Sequence, residues 1–175
     1  FGVFAFDQES AEVYPIFSDH VIIATGGLGQ VYLHNTNSKY SRGDGIALGF
    51  RAGCRLENLE YVQFHPTTFY KEGSPRFLIS EALRGEGAYI VNEKGERFLF
   101  RYLKNYATPE LAPRDKVAKA IHQEMLSTGA SCVYLDISHK PKQWIEERFP
   151  FVSGTCLKHG VDITAEPIPV VPGAH

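Results

Sequence analysis

Three short polar motifs carry residue types that can bind a small dicarboxylate and move a proton beside it. They are residues 63–67 (QFHPT), 80–87 (SEALRGEG) and 111–115 (LAPRD), and residues 172–175 (PGAH) end the chain. Imidazole and guanidinium groups donate hydrogen bonds to carboxylates, and a carboxylate beside them can accept a proton. These motifs therefore predict an anion-binding site with acid–base chemistry.

The local sequence gives each motif a defined geometry. Pro66 keeps His65 out of helical conformation and so fixes the direction of the imidazole. Glu81 and Arg84 lie at i, i+3 on one face of a short predicted helix. Arg114 begins the clearest predicted helix, where the helix dipole already places positive charge, so this cation is expected to have a negative partner.

Each of these features also has a structural explanation. A lone histidine is more often a hydrogen-bonded structural residue than a ligand. An i, i+3 ion pair is usually a surface salt bridge worth about 0–1 kcal/mol. Arg114 could pair with Asp115 or with another surface acid. The residues alone leave these alternatives open.

Glycines in the first third of the chain are compatible with a cofactor that approaches the backbone. Residues 21–25 are predicted to form a buried strand of a parallel sheet, and Gly26 and Gly27 end it. Residues 43–45 begin a helix and place Asp44 at its positive end. A tight turn and an ordinary helix start explain these two patterns equally well.

The pattern of elements predicts an α+β fold with a boundary near residue 56. Hairpins are predicted at residues 1–17 and 88–100, further strands or extended segments at 21–25, 55–70, 132–136 and 167–175, and helices at 46–52, 80–84, 114–128 and 141–148. Residues 1–56 are interpreted as part of a dinucleotide-binding fold, and residues 57–175 as a separate lobe. Neither terminus looks like a natural end, so we expect a piece of a longer protein.

Composition excludes several classes of function. The net charge of −2 gives no electrostatic footprint for nucleic acid or an anionic membrane, and no apolar run is long enough to span a bilayer. Cys54, Cys132 and Cys156 are widely spaced, which argues against disulfides and metal binding and for a reducing compartment. We therefore expect a cytoplasmic protein without a metal site.

Taken as a set, the motifs resemble the succinate dehydrogenase/fumarate reductase flavoprotein family. The resemblance extends over nearly the whole chain and rests on residues 24–27, 43–45, 63–67, 84–87, 114–115 and 166–175. Residues 110–115 and 135–141 resemble its L-aspartate oxidase branch more closely.

The resemblance implies an FAD-dependent oxidoreductase that oxidises L-aspartate to iminoaspartate for NAD biosynthesis, with oxygen or fumarate reoxidising the flavin. Residues 1–56 would then be a partial FAD-binding domain and residues 57–175 the capping, or substrate, domain. Quinolinate synthase is the implied pathway partner. Two alternatives stay open: the flavoprotein subunit of succinate dehydrogenase or fumarate reductase, and a non-catalytic binding module.

The resemblance also implies roles for nine residues. Three correspond to ligands of the substrate carboxylates: His65, Ser80 and His175. Three correspond to proton-transfer residues: Arg114 at the substrate, with Glu81 and Arg84 relaying the proton to solvent. Three correspond to FAD contacts: Gly26, Gly27 and Asp44. The GxGxxG turn of the family is not in this sequence, so we expect the isolated chain neither to hold FAD tightly nor to turn over.

Overall fold

The first third of the chain contains a separate hairpin and one helix. The computed structural model describes residues 1–175. Strand β1 (Gly2–Phe6) pairs antiparallel with β2 (Val13–Phe17), so the predicted first hairpin is confirmed. Helix α1 (Asp44–Arg51) follows Gly43, whose φ of 82° lies in the left-handed region that favours glycine.

The prediction of a buried strand at residues 21–25 is wrong. These residues pair with no strand, and the side chain of Ile22 is 91% exposed. A strand in a parallel sheet needs neighbours that take up its backbone N–H and C=O groups. No segment of this chain provides that pairing, so the apolar run stays irregular.

A four-stranded antiparallel sheet organises the rest of the chain. Its strands are β3 (Phe64–Phe69), β4 (Tyr89–Val91), β5 (Val133–Asp136) and β6 (Ile168–Ala174), in the order β3-β6-β5-β4. The pairing of β3 with β6 shifts register between His65 and Thr68. Such an irregularity bends a strand and redirects its side chains. Here it lies beside one of the predicted site residues.

Five helices lie in the connections between these strands. They are α2 (Ala82–Gly85), α3 (Leu99–Tyr102), α4 (Arg114–Thr128), α5 (Lys142–Arg148) and α6 (Pro150–Lys158). Helix α4 has the predicted bounds, ends at Gly129 with φ 73°, and packs against β3 and β6. None of the helices is long and apolar enough to cross a membrane.

The predicted second hairpin, at residues 88–100, is wrong. Strand β4 pairs with β5, and the segment after the turn forms helix α3. The side-chain oxygen of Asn92 accepts the backbone N–H groups of Lys94 and Glu96, each at 3.0 Å, and so closes the turn locally. Phe98 and Leu99 then enter the core. Helix α6 was not predicted at all.

The hydrophobic core lies entirely in the second part of the chain. Its 23 connected buried residues fall between Phe69 and Val170. They include Ile121 of α4 and Leu135 of β5, both fully buried. The core therefore fixes β3, α2 and α4, which carry His65, Arg84 and Arg114.

Candidate active site

Arg114 has the negative partner that its place at a helix start predicts. Its Nε donates to Oε2 of Glu81 at 2.7 Å, and its Nη1 donates to Oε1 of Gln63 at 2.9 Å. Asp115 instead lies 3.6 Å from the ammonium of Lys116. Arg114 thus connects α4 to the segment before α2 and to the start of β3.

Glu81 lies between two guanidinium groups. Its Oε2 is 3.6 Å from Nη2 of Arg84 as well as 2.7 Å from Nε of Arg114. The hydrogen bond from Arg114 and the charges of both arginines lower the pKa of Glu81 and outweigh the opposing effect of burial. The carboxylate is 42% exposed and therefore has access to water. It is placed to receive a proton from Arg114.

Arg84 is completely buried and incompletely paired. Its Nη1 donates to the backbone carbonyl of Glu110 at 2.5 Å, whereas its Nε and Nη2 make no hydrogen bond. Burial lowers the pKa of Arg84, and the charges of Glu81 and Glu110 act in the opposite direction. Unpaired buried donors are costly, so the free N–H groups of this buried cation make Arg84 a candidate functional residue.

His65 is a buried, neutral hydrogen-bond donor. The backbone N–H of Thr67 donates to its Nδ1 at 3.2 Å, so Nδ1 carries no proton and the proton lies on Nε2. Burial lowers the pKa of His65 to about 4, assisted by the charges of Arg84 and Arg114. Nε2 has no protein partner and can donate to a ligand.

His175 lies close to His65, with 5.7 Å between the ring centroids. Its Nδ1 is 2.8 Å from Oγ1 of Thr36, and its backbone N–H donates to the carbonyl of Gln63 at 3.0 Å. Residues from the first third of the chain therefore hold the end of β6 in place.

Ser80 is adjacent to Glu81 in sequence, and its hydroxyl accepts the N–H of Ala82 at 3.2 Å.

The three predicted cofactor residues lie in different places. Gly27 lines a concavity of about 220 Å³ together with Gln63 and His175, next to the polar cluster. Gly26 lines a different concavity, and Asp44 forms an exposed ion pair with Arg42 at 2.8 Å. Apart from the adjacent residues of the chain, no atom lies within 4 Å of the place that a Cβ would occupy at Gly26 or Gly27. This open backbone is compatible with a flat group that reaches the polar cluster at Gln63.

The structure thus brings together His65, Glu81, Arg84, Arg114 and His175, but not Gly26 or Asp44. A larger cavity, of about 540 Å³, opens along α4 and includes none of the predicted site residues. It is mainly apolar and lacks the convergent charges of the cluster, so we assign the chemistry to the cluster.

The sequence predicts no role for three residues that contact the site: Thr36, Gln63 and Glu110. Gln63 belongs to the QFHPT motif, which could have indicated it. Thr36 is 139 residues from His175, and no local pattern indicates that contact. Glu110 is part of the 110–115 motif, but its burial follows only from the packing of the segment before α4.

The chain belongs to the FAD binding domain family, whose model matches residues 1–175. It is 51% identical over 174 residues to the L-aspartate oxidase of Pseudomonas aeruginosa and 49% identical to L-aspartate oxidase 1 of Ralstonia nicotianae. Each match covers 99% of this chain and 32% of the relative. The chain therefore spans about a third of the length of these relatives.

Solved structures show the same fold. A quinol–fumarate reductase with menaquinol molecules superposes with a TM-score of 0.83 at 37% identity, covering 94% of this chain and 31% of that one. An E. coli quinol fumarate reductase gives the same score and identity. The mixed helix and sheet arrangement thus matches the flavoprotein of fumarate reductase.

Proposed function

We propose that the chain provides the substrate site of a longer FAD-dependent oxidoreductase that oxidises L-aspartate to iminoaspartate. The observation that carries the proposal is the sharing of Glu81 between Arg114 and Arg84, beside the neutral donor His65. This arrangement combines carboxylate binding with a path for one proton. The similarity of the chain to L-aspartate oxidases is the reason for choosing L-aspartate, rather than another dicarboxylate, as the proposed substrate.

Within that protein we assign residues 57–175 to the capping, or substrate, domain and residues 1–56 to part of the FAD-binding domain. The assignment is supported by the core, whose members all lie between Phe69 and Val170. The first 56 residues add no member to it, although Thr36 and its neighbours hold His175. This distribution of core residues along the chain is compatible with two units that meet at the site.

The substrate carboxylates are bound by His65, Ser80 and His175. His65 donates through Nε2, since its Nδ1 already accepts the N–H of Thr67. A neutral donor serves here because the neighbouring arginines already supply positive charge. Fixing both ends of a small substrate orients its reacting carbon, which can lower a barrier by several kcal/mol.

The proton is moved by Arg114 and Glu81. L-Aspartate loses the hydrogen on its α-carbon as a hydride and one proton from its amino nitrogen, and a C=N double bond forms. FAD, when bound, supplies the hydride acceptor. Arg114 takes the proton as it passes one from Nε to Oε2 of Glu81, 2.7 Å away, and so remains charged throughout. Glu81, with Arg84 behind it, relays the proton to solvent.

The residues present fit FAD at one point of contact. Gly27 would hold the part of FAD that faces the polar cluster, because its open backbone shares a concavity with Gln63 and His175. Gly26 and Asp44 would contact FAD farther from the cluster. We also propose a cytoplasmic enzyme of NAD biosynthesis, with quinolinate synthase as its pathway partner. The three free cysteines are compatible with the reducing conditions of the cytoplasm.

The experiment compares Arg114→Leu with the wild type in the full-length protein, with L-aspartate as substrate and peroxide release as the assay. We expect kcat to fall by about a thousandfold or more in Arg114→Leu, with little change in Tm, because a proton-transfer step is lost. Lys116→Leu, an exposed change on the same helical turn, is the matched control and should retain activity.

Two results would contradict the proposal. Oxidation of succinate without oxidation of L-aspartate would favour a succinate dehydrogenase or fumarate reductase flavoprotein, since this chain is also similar to a solved fumarate reductase. Unfolding of Arg114→Leu, with Lys116→Leu intact, would instead indicate a structural role for Arg114 and favour a binding module.

A further inference from the structure

Besides Glu81, whose side chain is partly exposed, Arg84 has a second acidic neighbour, the buried Glu110. Glu110 lies on the turn before α4, and its side chain is 2% exposed. Its backbone carbonyl accepts Nη1 of Arg84 at 2.5 Å. We propose that Glu110 is a positioning residue, which holds Arg84 in place and limits how strongly Arg84 binds Glu81. The inference rests on the proposed function, since Glu81 is the proton acceptor there.

Glu110 is itself anchored by Arg97. Nε and Nη2 of Arg97 both donate to Oε1 of Glu110, at 3.1 and 3.0 Å. The guanidinium of Arg97 also lies 4.0 Å from the ring centroid of Tyr89. The bonds to one carboxylate oxygen fix the direction of the side chain. They leave the other oxygen, Oε2, buried and without a partner.

Two buried groups of opposite charge are therefore each left partly unpaired: Oε2 of Glu110, and Nε and Nη2 of Arg84. Arg97 and Glu81 pair only part of these two buried groups, and because buried charge is costly, the opposite charges of Glu110 and Arg84 also stabilise each other. The charge of Glu110 acts against the lowering of the pKa of Arg84 by burial. Arg84 is thus a cation held between two carboxylates, Glu81 and Glu110.

The result is a row of alternating charges, in the order Arg114, Glu81, Arg84, Glu110, Arg97. Both ends of the row reach the surface, since the side chain of Arg114 is 38% exposed and that of Arg97 is 37% exposed. The charged and titratable groups around Glu81 are Arg114 on α4, Arg84 on α2 and His65 on β3.

Loss of the charge on Glu110 would leave Glu81 as the sole counter-charge of Arg84. The guanidinium would then bind Glu81 more strongly, and Glu81 would become a weaker proton acceptor. The substrate ligands His65 and His175 do not contact Glu110, so substrate binding should change little.

The test uses Glu110→Gln in the full-length protein. We expect kcat for L-aspartate to fall about tenfold, equivalent to roughly 1.4 kcal/mol, while KM stays within about threefold. The acid limb of the kcat–pH profile should move to lower pH by roughly half a unit or more, since an opposite charge that acts more strongly lowers the pKa of Glu81. Glu110→Asp, which keeps the charge, should restore most of kcat and the position of the limb.

Glu124→Gln is the matched control. Glu124 is an equally buried carboxylate, 1% exposed and 2.7 Å from Nη2 of Arg101, but it is not part of the row. The Glu124→Gln substitution should lower the stability of the protein without shifting the acid limb of the kcat–pH profile. A shift as large as that of Glu110→Gln, or an unshifted limb in Glu110→Gln, would overturn the proposal.

A readout independent of activity is a double-mutant cycle of urea unfolding with Glu110→Gln and Arg84→Met. We expect Glu110→Gln to lower the urea midpoint more when Arg84 is present than in the Arg84→Met background. In that background the buried cation is gone, so no positive charge is left for Glu110 to compensate. Additive effects would overturn the proposed coupling. A wild-type protein inert toward L-aspartate would refute the proposed function alone, and the cycle would still decide whether Glu110 and Arg84 are coupled.

Discussion

Protonation of His65 should destabilise the folded protein, and His65→Gln should remove that effect. The ring is 1% exposed, and its Nδ1 accepts the N–H of Thr67. Burial, with the charges of Arg84 and Arg114, lowers the pKa of His65 from 6.5 to about 4. Above pH 6.5 the ring is neutral in both the folded and the unfolded chain, so protonation of His65 takes nothing from the free energy of unfolding.

The sign and size of the effect follow from these two values. As the pH falls below 6.5, the unfolded chain binds a proton at His65 and the folded protein does not, so stability decreases until the pH passes about 4. Each pKa unit of difference between the two states corresponds to about 1.4 kcal/mol, so His65 lowers the free energy of unfolding by roughly 3 kcal/mol in total. Protonation would also break the hydrogen bond from Thr67.

The assay is urea unfolding of the full-length wild type and of His65→Gln at intervals from pH 7 to pH 4. The free energy of unfolding of the wild type should fall more steeply, by about 3 kcal/mol over this range, and the difference between the two proteins isolates His65 from the other titrating groups. His122→Gln, which changes an exposed ring on α4, is the control and should retain the slope of the wild type.

Equal slopes for the wild type and His65→Gln would refute the reasoning, since they would mean that His65 binds its proton equally well in both states. An NMR titration of the His65 ring with a midpoint near 6.5 would do the same. Either result would also remove the argument that a neutral Nε2–H donor contacts the substrate.

Three further predictions concern stability and reactivity. Thr68→Val should raise the free energy of unfolding by about 1 kcal/mol in urea, because Oγ1 of Thr68 is buried without a partner and valine has nearly the same shape; a decrease would indicate a hidden partner. Glu124→Gln should lower the same quantity by roughly 2–3 kcal/mol, because the carboxylate accepts four hydrogen bonds; a loss below about 0.5 kcal/mol would show that the amide replaces it. Iodoacetamide at pH 8 should modify the exposed Cys54 in the folded protein but not Cys132 or Cys156, since burial raises the pKa of Cys156 to about 12 and also raises that of Cys132. Peptide mass spectrometry before and after unfolding measures this, and early labelling of Cys156 would contradict it.

Helix α4 was predictable because its signals are local. Pro113 precedes it, apolar residues recur at helical spacing, and Gly129 ends it, so both bounds at 114 and 128 agree with the structure. The first hairpin was predictable for the same reason, from strand alternation broken by a polar turn. The need of Arg114 for a negative partner followed from the helix dipole alone.

The two wrong predictions have one common cause. Residues 21–25 have strand composition but no strand to pair with, and β4 pairs with β5 rather than with the segment that follows its turn. Propensity indicates which conformation a segment tolerates, whereas pairing depends on what the rest of the chain places beside it.

The sequence by itself determined the residue types of the site, the helix that begins at Arg114 and the resemblance that connects its motifs. Only the tertiary structure decided that Glu81 serves both Arg114, 33 residues later, and Arg84, and that Glu110 lies behind them. The physical reason is that composition and periodicity report backbone conformation and amphipathicity, which are local. Burial, charge compensation and the neutral state of His65 depend on the strand order β3-β6-β5-β4 and on the core beneath it.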